Sequence, residues 1–456
     1  MYRTFVPNLS CPAASGTANS NSRLFHLRRL RPALIAAAIA CATGSAMAQS
    51  QEIGLWANVV HQQVVEGKRG GAVVNLAAPF EKDNGVKLNW TTIPFDQMQD
   101  KVLREINLSN SKTDIVFILN TWAAPGVLAK LVPMNDMMKT TPIQNMADVS
   151  PAMVSAFTDK AGIKGIPIRH NPQILHYNKK IFAERGVAGE PQTFEEFLDT
   201  VKKTTFKRAD GAQVYGFAFE TNQAEDLVVM IRAYGGDVLS QDLKIRVAEP
   251  AAVKAITALR ELYAAGALPP NLGILKPADL QNLMSQGLIA MGIFGDNYYD
   301  RFNNKEQSQV AGNTWFAPVP AAKENTAAKY ASSSGFWAMG IPANGDPAVR
   351  EKAYKLIAYL AQPETQLTLA LNNNSPIRAS VYSNEKYAAT VPYAAVVQKV
   401  LPIAAPPFPA FPGSKEAERI FLEESVAAIT GQKPVKAAMD AAAAGIERVL
   451  KREGLR

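Results

Sequence analysis

Short apolar runs alternate with amphipathic segments of helical spacing along residues 49–456. The run DIVFIL (114–119) is continuously apolar after its first residue, as is typical of a parallel strand covered on both faces. Three further runs predict strands: YGFAF (215–219), IAMGIF (289–294) and FWAMGI (336–341). The alternation of such runs with helical segments predicts an α/β protein.

Two segments carry helix start signals. In TFEEFLDTVKK, Thr193 and Glu196 have the spacing of a capping box. In DPAVREKAYKLIAYL, we predict Asp346 as the N-cap and Pro347 at the first helical position. The proline-rich run LPIAAPPFPAFP (401–412) cannot form a regular helix or a central strand, so we expect an extended surface loop there.

The N-terminal residues have the features of an export signal. RLFHLRRLR is cationic, PALIAAAIACATG is apolar, and AMA before Gln49 is a small-residue cleavage motif. We therefore predict a signal peptide over residues 1–48, cleaved after Ala48, and a periplasmic location in a Gram-negative cell. The apolar run is shorter than the about 20 residues that a membrane-spanning helix needs. A membrane anchor, lipidation at Cys41 and a start later than Met1 stay open as alternatives.

The net charge of +8 does not indicate a nucleic-acid partner. The first 48 residues carry five arginines and no acid, which leaves about +3 for the remainder. Both cysteines, Cys11 and Cys41, lie in this leader, so the mature chain can form no disulfide of its own. Its 408 or so remaining residues, at ordinary hydrophobic content, are enough for two domains with full cores.

The sequence lacks the common catalytic motifs. GxSxG, HExxH, GxxxxGK[ST] and a GxGxxG after a strand are all absent. His61, His170 and His176 are the histidines of the predicted mature chain, and they lack metal-ligand spacing. We expect no metal, no cofactor and no enzymatic activity. A secreted glycan-acting enzyme stays open as a remote alternative, because a pair of catalytic carboxylates assembled in space leaves no sequence pattern.

Polar and aromatic residues directly follow several predicted strands. Ligands in open α/β sheets lie beyond the carboxyl ends of strands, so we expect these residues to share one region. Amides and carboxylates bind hydroxyl groups, and an aromatic face covers a sugar ring. Asn and Asp after strands also serve as turn formers, and a strand tryptophan is often core, so repetition carries the prediction. The candidates are Trp56, Asn58, His61, Asn120, Thr121, Trp122, Glu220, Asn222, Asp296 and Asn297.

The segment GIPIRHNPQILHYN (165–178) has two apolar runs on either side of Arg169, His170 and Asn171. No carboxylate is near enough in sequence to pair with these side chains. We predict two buried strands joined by a cationic elbow that carries an amide.

Five segments, in this order, resemble the maltose-binding type of extracellular solute-binding protein, the capture subunit of ABC importers. They are DIVFILNTWAAPGVLAKLVPM, GIPIRHNPQILHYNKKIFAERGV with the following PQTFEEF, IAMGIFGDNYY, SSSGFWAMGIPANGDPAVREKAYKLIAYLAQPETQ and ITGQKPVKAAMDAAAAGIERVL. The resemblance covers most of the chain after residue 48. It implies a type II periplasmic-binding-protein fold, in which two α/β lobes joined by a multi-strand hinge enclose a ligand cleft.

By the family pattern, lobe one holds residues 49–171 and 333–385, and lobe two holds residues 172–332 and 386–456. The first hinge crossing is then at Asn171 and Pro172, which places Arg169, His170 and Asn171 at the cleft floor. Gly335 and Phe336 are at the second crossing, and Arg378 is near the third. The resemblance therefore adds these residues to the candidate ligand site.

The resemblance implies a monomer that captures a carbohydrate or polyol and delivers it to permease subunits in the inner membrane. Arg169 and His170 depart from the small, acidic or amide residues usual at this elbow, and no acid follows DIVFIL. An anionic solute, such as an acidic sugar or a phosphorylated polyol, is therefore an alternative. Delivery to a chemoreceptor instead of a permease is another.

Overall fold

The computed structural model describes residues 51–69 and 74–456. The predicted signal peptide, its cleavage point after Ala48, and both cysteines lie outside these residues. Within them, no helix combines the length and the apolar character that crossing a membrane requires.

The described residues form strands and helices in an alternating order. The strands are β1 (Gln51–Ala57), β2 (Val86–Thr92), β3 (Ile115–Leu119), β4 (Thr158–Asp159), β5 (Gly162–Ile163), β6 (Gly165–Asn178), β7 (Phe206–Lys207), β8 (Gln213–Ala218), β9 (Ile289–Gly295), β10 (Thr314–Ala317), β11 (Val319–Pro320), β12 (Tyr330–Ala331) and β13 (Ser334–Gly340). The helices are α1 (Val59–Val65), α2 (Ala77–Asn84), α3 (Phe95–Glu105), α4 (Pro125–Leu128), α5 (Asn135–Thr140), α6 (Pro151–Ser155), α7 (Lys179–Glu184), α8 (Phe194–Lys203), α9 (Glu225–Ala233), α10 (Pro250–Ala264), α11 (Pro277–Ser285), α12 (Tyr299–Asn303), α13 (Arg350–Ala361), α14 (Pro363–Leu371), α15 (Ala379–Tyr382), α16 (Glu385–Thr390), α17 (Ala394–Val400), α18 (Ser414–Ile429) and α19 (Val435–Arg452).

The main sheet has nine strands in the order β2-β1-β3-β13-β6-β9-β8-β7, with β10 paired to β6. The four strands predicted from apolar runs are all present, as β3, β8, β9 and β13. β3 is buried along its whole length, pairs in parallel with β1 and pairs antiparallel with β13. Its continuous apolar sequence is explained by this central position, because both faces are covered.

β6 is one continuous strand of 14 residues, not two strands joined by an elbow. Its first half, up to Pro172, pairs with β13, and its second half, from Gln173, pairs with β9 and β10. The predicted elbow is therefore wrong in its geometry, because ladder hydrogen bonds continue through Arg169, His170 and Asn171. The strand changes its partners between Asn171 and Gln173, where we predicted a crossing between lobes.

Two large hydrophobic cores lie on different parts of this sheet. The first is built from residues 53–168 and 336–377, and the second from residues 175–331 and 408–450. A smaller core joins helices α14 to α17 to Ile174 and Phe316. The predicted lobe boundaries stay a prediction, since these cores do not assign every segment to one lobe.

The two helix predictions had different outcomes. Thr193 caps α8, and its hydroxyl accepts the Glu196 backbone N–H at 3.2 Å, while the Glu196 carboxylate accepts the N–H of Gln192 at 2.8 Å. α13, in contrast, begins at Arg350 and not at Pro347. Asp346 instead closes a turn, because its carboxylate accepts the N–H of Ala348 at 2.9 Å. The proline-rich residues 401–412 form a loop without regular helix or strand, as expected, but the loop is not confined to the surface, because Phe408 and Phe411 are buried in the second core.

Candidate functional site

Two neighbouring cavities lie beyond the ends of β3 and β8. The larger, here called the outer chamber, has a volume of about 1010 Å³, and the smaller, the inner chamber, about 90 Å³. Phe95, Leu119, Gln223 and Glu225 line both cavities, so the two form one cleft. Concave sites of this volume are typical of small-molecule binding.

The outer chamber lies between elements of the two hydrophobic cores. On one side are the start of α3 and the turn Asn120–Trp122 that follows β3. On the other side are residues 221–225, which follow β8, and one face of α18. Lys415 of α18 approaches Asp100 of α3 at 3.5 Å, so the two walls meet at this point. A molecule in the outer chamber would contact both walls.

Three aromatic side chains form a wall at the junction of the chambers. The ring centroids of Trp122 and Trp337 are 5.3 Å apart in an edge arrangement, and Phe95 lies 6.1 Å from Trp337 and 6.3 Å from Trp122. Trp122 lines the outer chamber, Trp337 the inner chamber and Phe95 both. Trp337 belongs to the first hydrophobic core and also presents a surface to the cleft. Such a wall suits the apolar face of a sugar ring.

Carboxylates converge on the same junction from residues 220–226 and from α18. The backbone N–H of Glu220 donates to Asp226 at 2.8 Å, and that of Ala224 donates to Glu418 at 2.9 Å. Oε2 of Glu225 is buried and has no hydrogen-bond partner among the described residues. Burial raises the pKa of Glu220 to about 7. Burial, and next the nearby Glu418, raise the pKa of Glu225 to about 8.

Some of the predicted site residues line these chambers, and they come from both sides of the cleft. They are Thr121, Trp122 and Asn222 at the outer chamber, and Asn171, Glu220 and Gly335 at the inner chamber.

Arg169 and His170 do not line either chamber. The His170 ring is fully buried between the hydroxyls of Ser334, at 3.3 Å, and Tyr382, at 2.6 Å. Burial, followed by the charge of Arg169, lowers the pKa of His170 to about 3, so this ring is neutral at pH 7. Burial and the nearby Arg69 lower the pKa of Arg169 to about 10, which leaves it charged. Only Arg169 of this pair therefore carries charge at neutral pH.

The residues predicted after β1 have local roles. Asn58 is the N-cap of α1, where its side chain accepts the N–H of Val60 at 3.1 Å. His61 stacks on Phe117, with ring centroids 4.5 Å apart. Burial, and next Arg169, lower the pKa of His61 well below its ordinary value. Trp56 packs on the first core. Neither these residues nor the buried pair Asn120 and Phe336 line the chambers.

Three further predicted residues line neither chamber. Arg378 is fully buried and donates to the carbonyl oxygens of Gln144, Asn145 and Ala361 at 2.7–3.0 Å. Asp296 is fully buried, and its Oδ1 accepts from the Ser375 hydroxyl at 2.6 Å. The backbone carbonyl of Asn297 accepts from Arg69 at 3.5 Å, while Oδ2 of Asp296 and Oδ1 of Asn297 have no hydrogen-bond partner among the described residues. Arg378 therefore joins the turn at Gln144 and Asn145 to the C-terminal end of α13, because carbonyl oxygens of both surround its guanidinium.

Sequence reasoning missed a second set of cleft residues. They are Phe95, Gln99, Gln173, Gln223, Glu225, Asp226, Lys415, Glu418, Arg419 and Leu422. The residues of α18 are far in sequence from any strand end, so the rule that selected candidates could not find them. Glu225 and Asp226 are the first residues of α9. Acidic residues are common at this position because they interact favourably with the helix dipole, so their presence did not indicate a site.

A family model described as "Bacterial extracellular solute-binding protein" matches residues 75–395. This chain belongs to that family. At family level, it is a solute-binding protein and not an enzyme, and the family is extracellular by its description. The strand order and the cleft between two cores agree with this membership.

Individual proteins that are similar to this solute-binding protein also bear on its fold. A probable ABC transporter-binding protein of Deinococcus radiodurans is 23% identical over 299 residues, which cover 64% of this chain and 68% of that protein. Maltose-bound MalE3 of T. maritima superposes with a TM-score of 0.75 at 21% identity, covering 88% of this chain and 100% of the other. A solute-binding protein of Agrobacterium radiobacter K84 in complex with ribitol gives 0.74 at 21% identity, covering 87% and 98%. The chain has the type II periplasmic-binding-protein fold of these structures.

Proposed function

We propose that this solute-binding protein captures a sugar or polyol in the cleft and delivers it to an ABC importer in the inner membrane. The observation that carries the proposal is the cleft itself, where the aromatic wall of Phe95, Trp122 and Trp337 faces a row of carboxylates and amides. Aromatic faces cover the C–H face of a sugar, and carboxylates and amides bind its hydroxyls. The similar proteins with bound maltose and ribitol support the same class of solute.

The mechanism that we propose is closure of two lobes over the solute. A solute between α3 and α18 contacts both walls only when these are close together. Its greater affinity for the closed state then shifts the population toward closure. The strand β6, whose partners change between Asn171 and Gln173, would be one of the hinge crossings. The closed form is the one that the permease would recognise.

We further propose that the mature protein is a periplasmic monomer, released by cleavage after Ala48. The family's extracellular character supports export. The alternative of an anionic solute receives little support from the cleft, because several carboxylates line it and neither Arg169 nor His170 does. Among the described residues, the lining of the inner chamber offers an acidic solute no positive charge with which to pair.

Thermal unfolding of residues 49–456 tests the proposal. The panel consists of neutral sugars, polyols, acidic sugars and sugar phosphates. A solute at about 100 times its dissociation constant raises the free energy of unfolding by about 2.7 kcal/mol, which shifts the melting temperature measurably. We expect a shift with at least one sugar or polyol. A shift with acidic compounds alone, or with none of the panel, would contradict the proposed solute class.

A further inference from the structure

The inner chamber is acidic on one side and has no compensating cation. Glu220, Glu225 and Asp226 line it, and none of the lining residues in the described part of the chain is Lys, Arg or His. Glu418 stands beside Glu225 and adds a further carboxylate. The nearest basic residues of the outer chamber are engaged, Lys415 with Asp100 at 3.5 Å and Arg419 with Glu423 at 2.7 Å. The charge of Lys415 also acts on Glu418, but Glu220, Glu225 and Asp226 make no ion pair with the described residues.

Carboxylates buried together are costly unless they take up protons or meet a positive charge. Internal hydrogen bonds satisfy part of this set, since Asp226 accepts the Glu220 N–H and Glu418 the Ala224 N–H. Oε2 of Glu225 remains without a partner. The described His, Cys, Asp and Glu side chains nowhere form a group of three or more that could hold a metal ion. The geometry of these carboxylates therefore does not favour a metal ion as the missing positive charge.

Gln173 provides a second observation that points to a ligand in the inner chamber. Its side chain is only 7% exposed and lines the chamber. Its backbone groups pair with Ser333 and Ser332, but its side-chain amide makes no hydrogen bond to the described residues. The amide opens onto the chamber instead of being sealed in the core, so a polar group of a bound solute can complete its hydrogen bonds.

Aromatic rings complete the surroundings of the inner chamber. Trp337 and Phe95 line it together with Phe294 and Tyr298. The face of an aromatic ring attracts a cation, and carboxylates beside such rings add charge-assisted hydrogen bonds. The inner chamber thus combines the two features that favour an ammonium group, while the outer chamber has room for the remainder of a solute.

We propose that the solute is an amino sugar or an amino polyol, whose ammonium group lies in the inner chamber against Glu225 and Glu220. This inference rests on the proposed function, because it assigns a chemical group to the solute of the same cleft. The amide of Gln173 would bind a neighbouring hydroxyl. The hydroxyl-bearing carbons would extend past Trp337 into the outer chamber, where Trp122 and Asn222 lie.

Matched pairs of compounds test the inference by isothermal titration calorimetry at pH 7. The pairs are glucosamine with glucose, galactosamine with galactose, and glucamine with sorbitol, each differing by an amino group in place of a hydroxyl. A hydrogen bond to a charged group contributes about 1.5–3 kcal/mol, and 1.4 kcal/mol is a factor of ten in affinity. We expect at least one aminated compound to bind about tenfold more tightly than its neutral partner.

The variant Glu225→Gln keeps the shape of the side chain but removes a carboxyl group that can release its proton and become charged when an ammonium group binds. We expect the ratio of the two affinities to fall toward one in this variant, and likewise in Glu220→Gln. The matched control is Glu351→Gln on α13, whose side chain is 74% exposed and pairs with Lys355 outside the cleft. This control should keep the wild-type ratio.

The outcomes separate the inference from the function on which it rests. Neutral compounds that bind as tightly as their aminated partners would overturn the inference and leave the proposed function standing. No binding within any pair would overturn both. An amine preference that persists unchanged in Glu225→Gln and Glu220→Gln would overturn the assignment of the ammonium group to these carboxylates.

Discussion

The side chain of Asn120 accepts the backbone N–H of Phe336 at 2.7 Å, across 216 residues of sequence. The bond ties the turn after β3 to the middle strand β13, and both residues are almost completely buried. Asn120 was predicted to bind solute because it follows a strand. Its amide oxygen is instead used to position the turn that carries Thr121 and Trp122 toward the outer chamber.

Replacing Asn120 by Ala should lower the stability of the protein. The change leaves the Phe336 N–H buried without a partner, which costs about 1–3 kcal/mol. Urea unfolding of the two proteins measures the difference. The matched control is Asn222→Ala, since Asn222 is exposed and its loss should change stability by about 0.5 kcal/mol or less. Equal stability of wild type and Asn120→Ala would show that the bond does not matter.

Arg378 should be more important for stability than for any contact with solute. Its guanidinium donates to three carbonyl oxygens, two in the turn at Gln144 and Asn145 and one at Ala361, the last residue of α13, and Asp148 lies 3.7 Å away. Arg378→Lys keeps the charge but cannot reproduce the planar fork, so several carbonyls lose their donor. We expect a loss of about 3 kcal/mol, the low end for breaking a buried charged network. Urea unfolding checks this, with Arg104→Lys on α3 as control, because Arg104 is exposed.

The sequence predicts the strands well because their apolar runs are long and continuous. β3, β9 and β13 are buried along their whole length, which leaves little alternative for such runs. The site is predicted less well. Residues that directly follow strands serve two different purposes. Trp122 faces the cleft, whereas Asn120, two residues earlier, holds the turn. Sequence alone does not distinguish them, because the difference depends on a partner 216 residues away.

The position of α18 could not be predicted for a related reason. Its polar face resembles that of any amphipathic surface helix, and only the tertiary structure shows that Lys415 and Glu418 face a cavity. The elbow was mispredicted because Arg169 and His170 are polar residues in a strand. They tolerate that position because His170 is neutral and hydrogen-bonded to Tyr382, while the field of Asp296 partly offsets the burial of Arg169.

The stability of the solute-free protein should fall between pH 7 and pH 9. The groups that face Glu225 are Glu220, Asp226 and Glu418, and burial raises the pKa of each. A raised pKa means that the folded state holds its proton more tightly than the unfolded state does. This contribution is complete below the unfolded pKa and is lost as the pH passes about 8 for Glu225.

Between pH 7 and pH 9, the histidines should contribute little to the change in stability. The pKa values of His170 and His176 are lowered to about 3 by burial, so both are neutral in the folded and unfolded states above pH 7. Glu225 alone should then reduce the free energy of unfolding by about 1 kcal/mol over this window. Melting temperatures at pH 7 and pH 9 measure it, and Glu225→Gln should show a smaller decrease. A wild-type curve that is flat, or that rises, would contradict the burial of these carboxylates as protonated groups.

Trp122 should contribute to solute binding through its aromatic face. It lines the outer chamber at 6% exposure and contacts Trp337 edge to face. Trp122→Ala should weaken binding of the identified solute by about tenfold, because aromatic contacts contribute about 0.5–1.5 kcal/mol beyond the buried area. The control is Trp315→Ala, since Trp315 is 40% exposed, packs under Lys179 and lies outside both chambers. Isothermal titration calorimetry measures both affinities. Full affinity in Trp122→Ala as well as in Trp315→Ala would contradict the assignment of Trp122 to the solute site.

Gly295 is the position where a single added methyl group should alter the inner chamber. A Cβ at this glycine would lie 2.2 Å from Oδ1 of Asn171 and 2.7 Å from its Cγ. Asn171 lines the inner chamber, and Gly295 pairs with Gln173 in the adjacent strand, so the clash would displace the Asn171 side chain. Overpacking of this kind costs about 1–3 kcal/mol. We therefore expect Gly295→Ala to lower both the melting temperature and the affinity for solute. Gly189→Ala is the matched control, because its added Cβ has open space around it. Equal melting temperatures and equal affinities of the two variants would mean that the Asn171 side chain moves freely. The inner chamber would then be less rigid than the packing of β6 against β9 indicates.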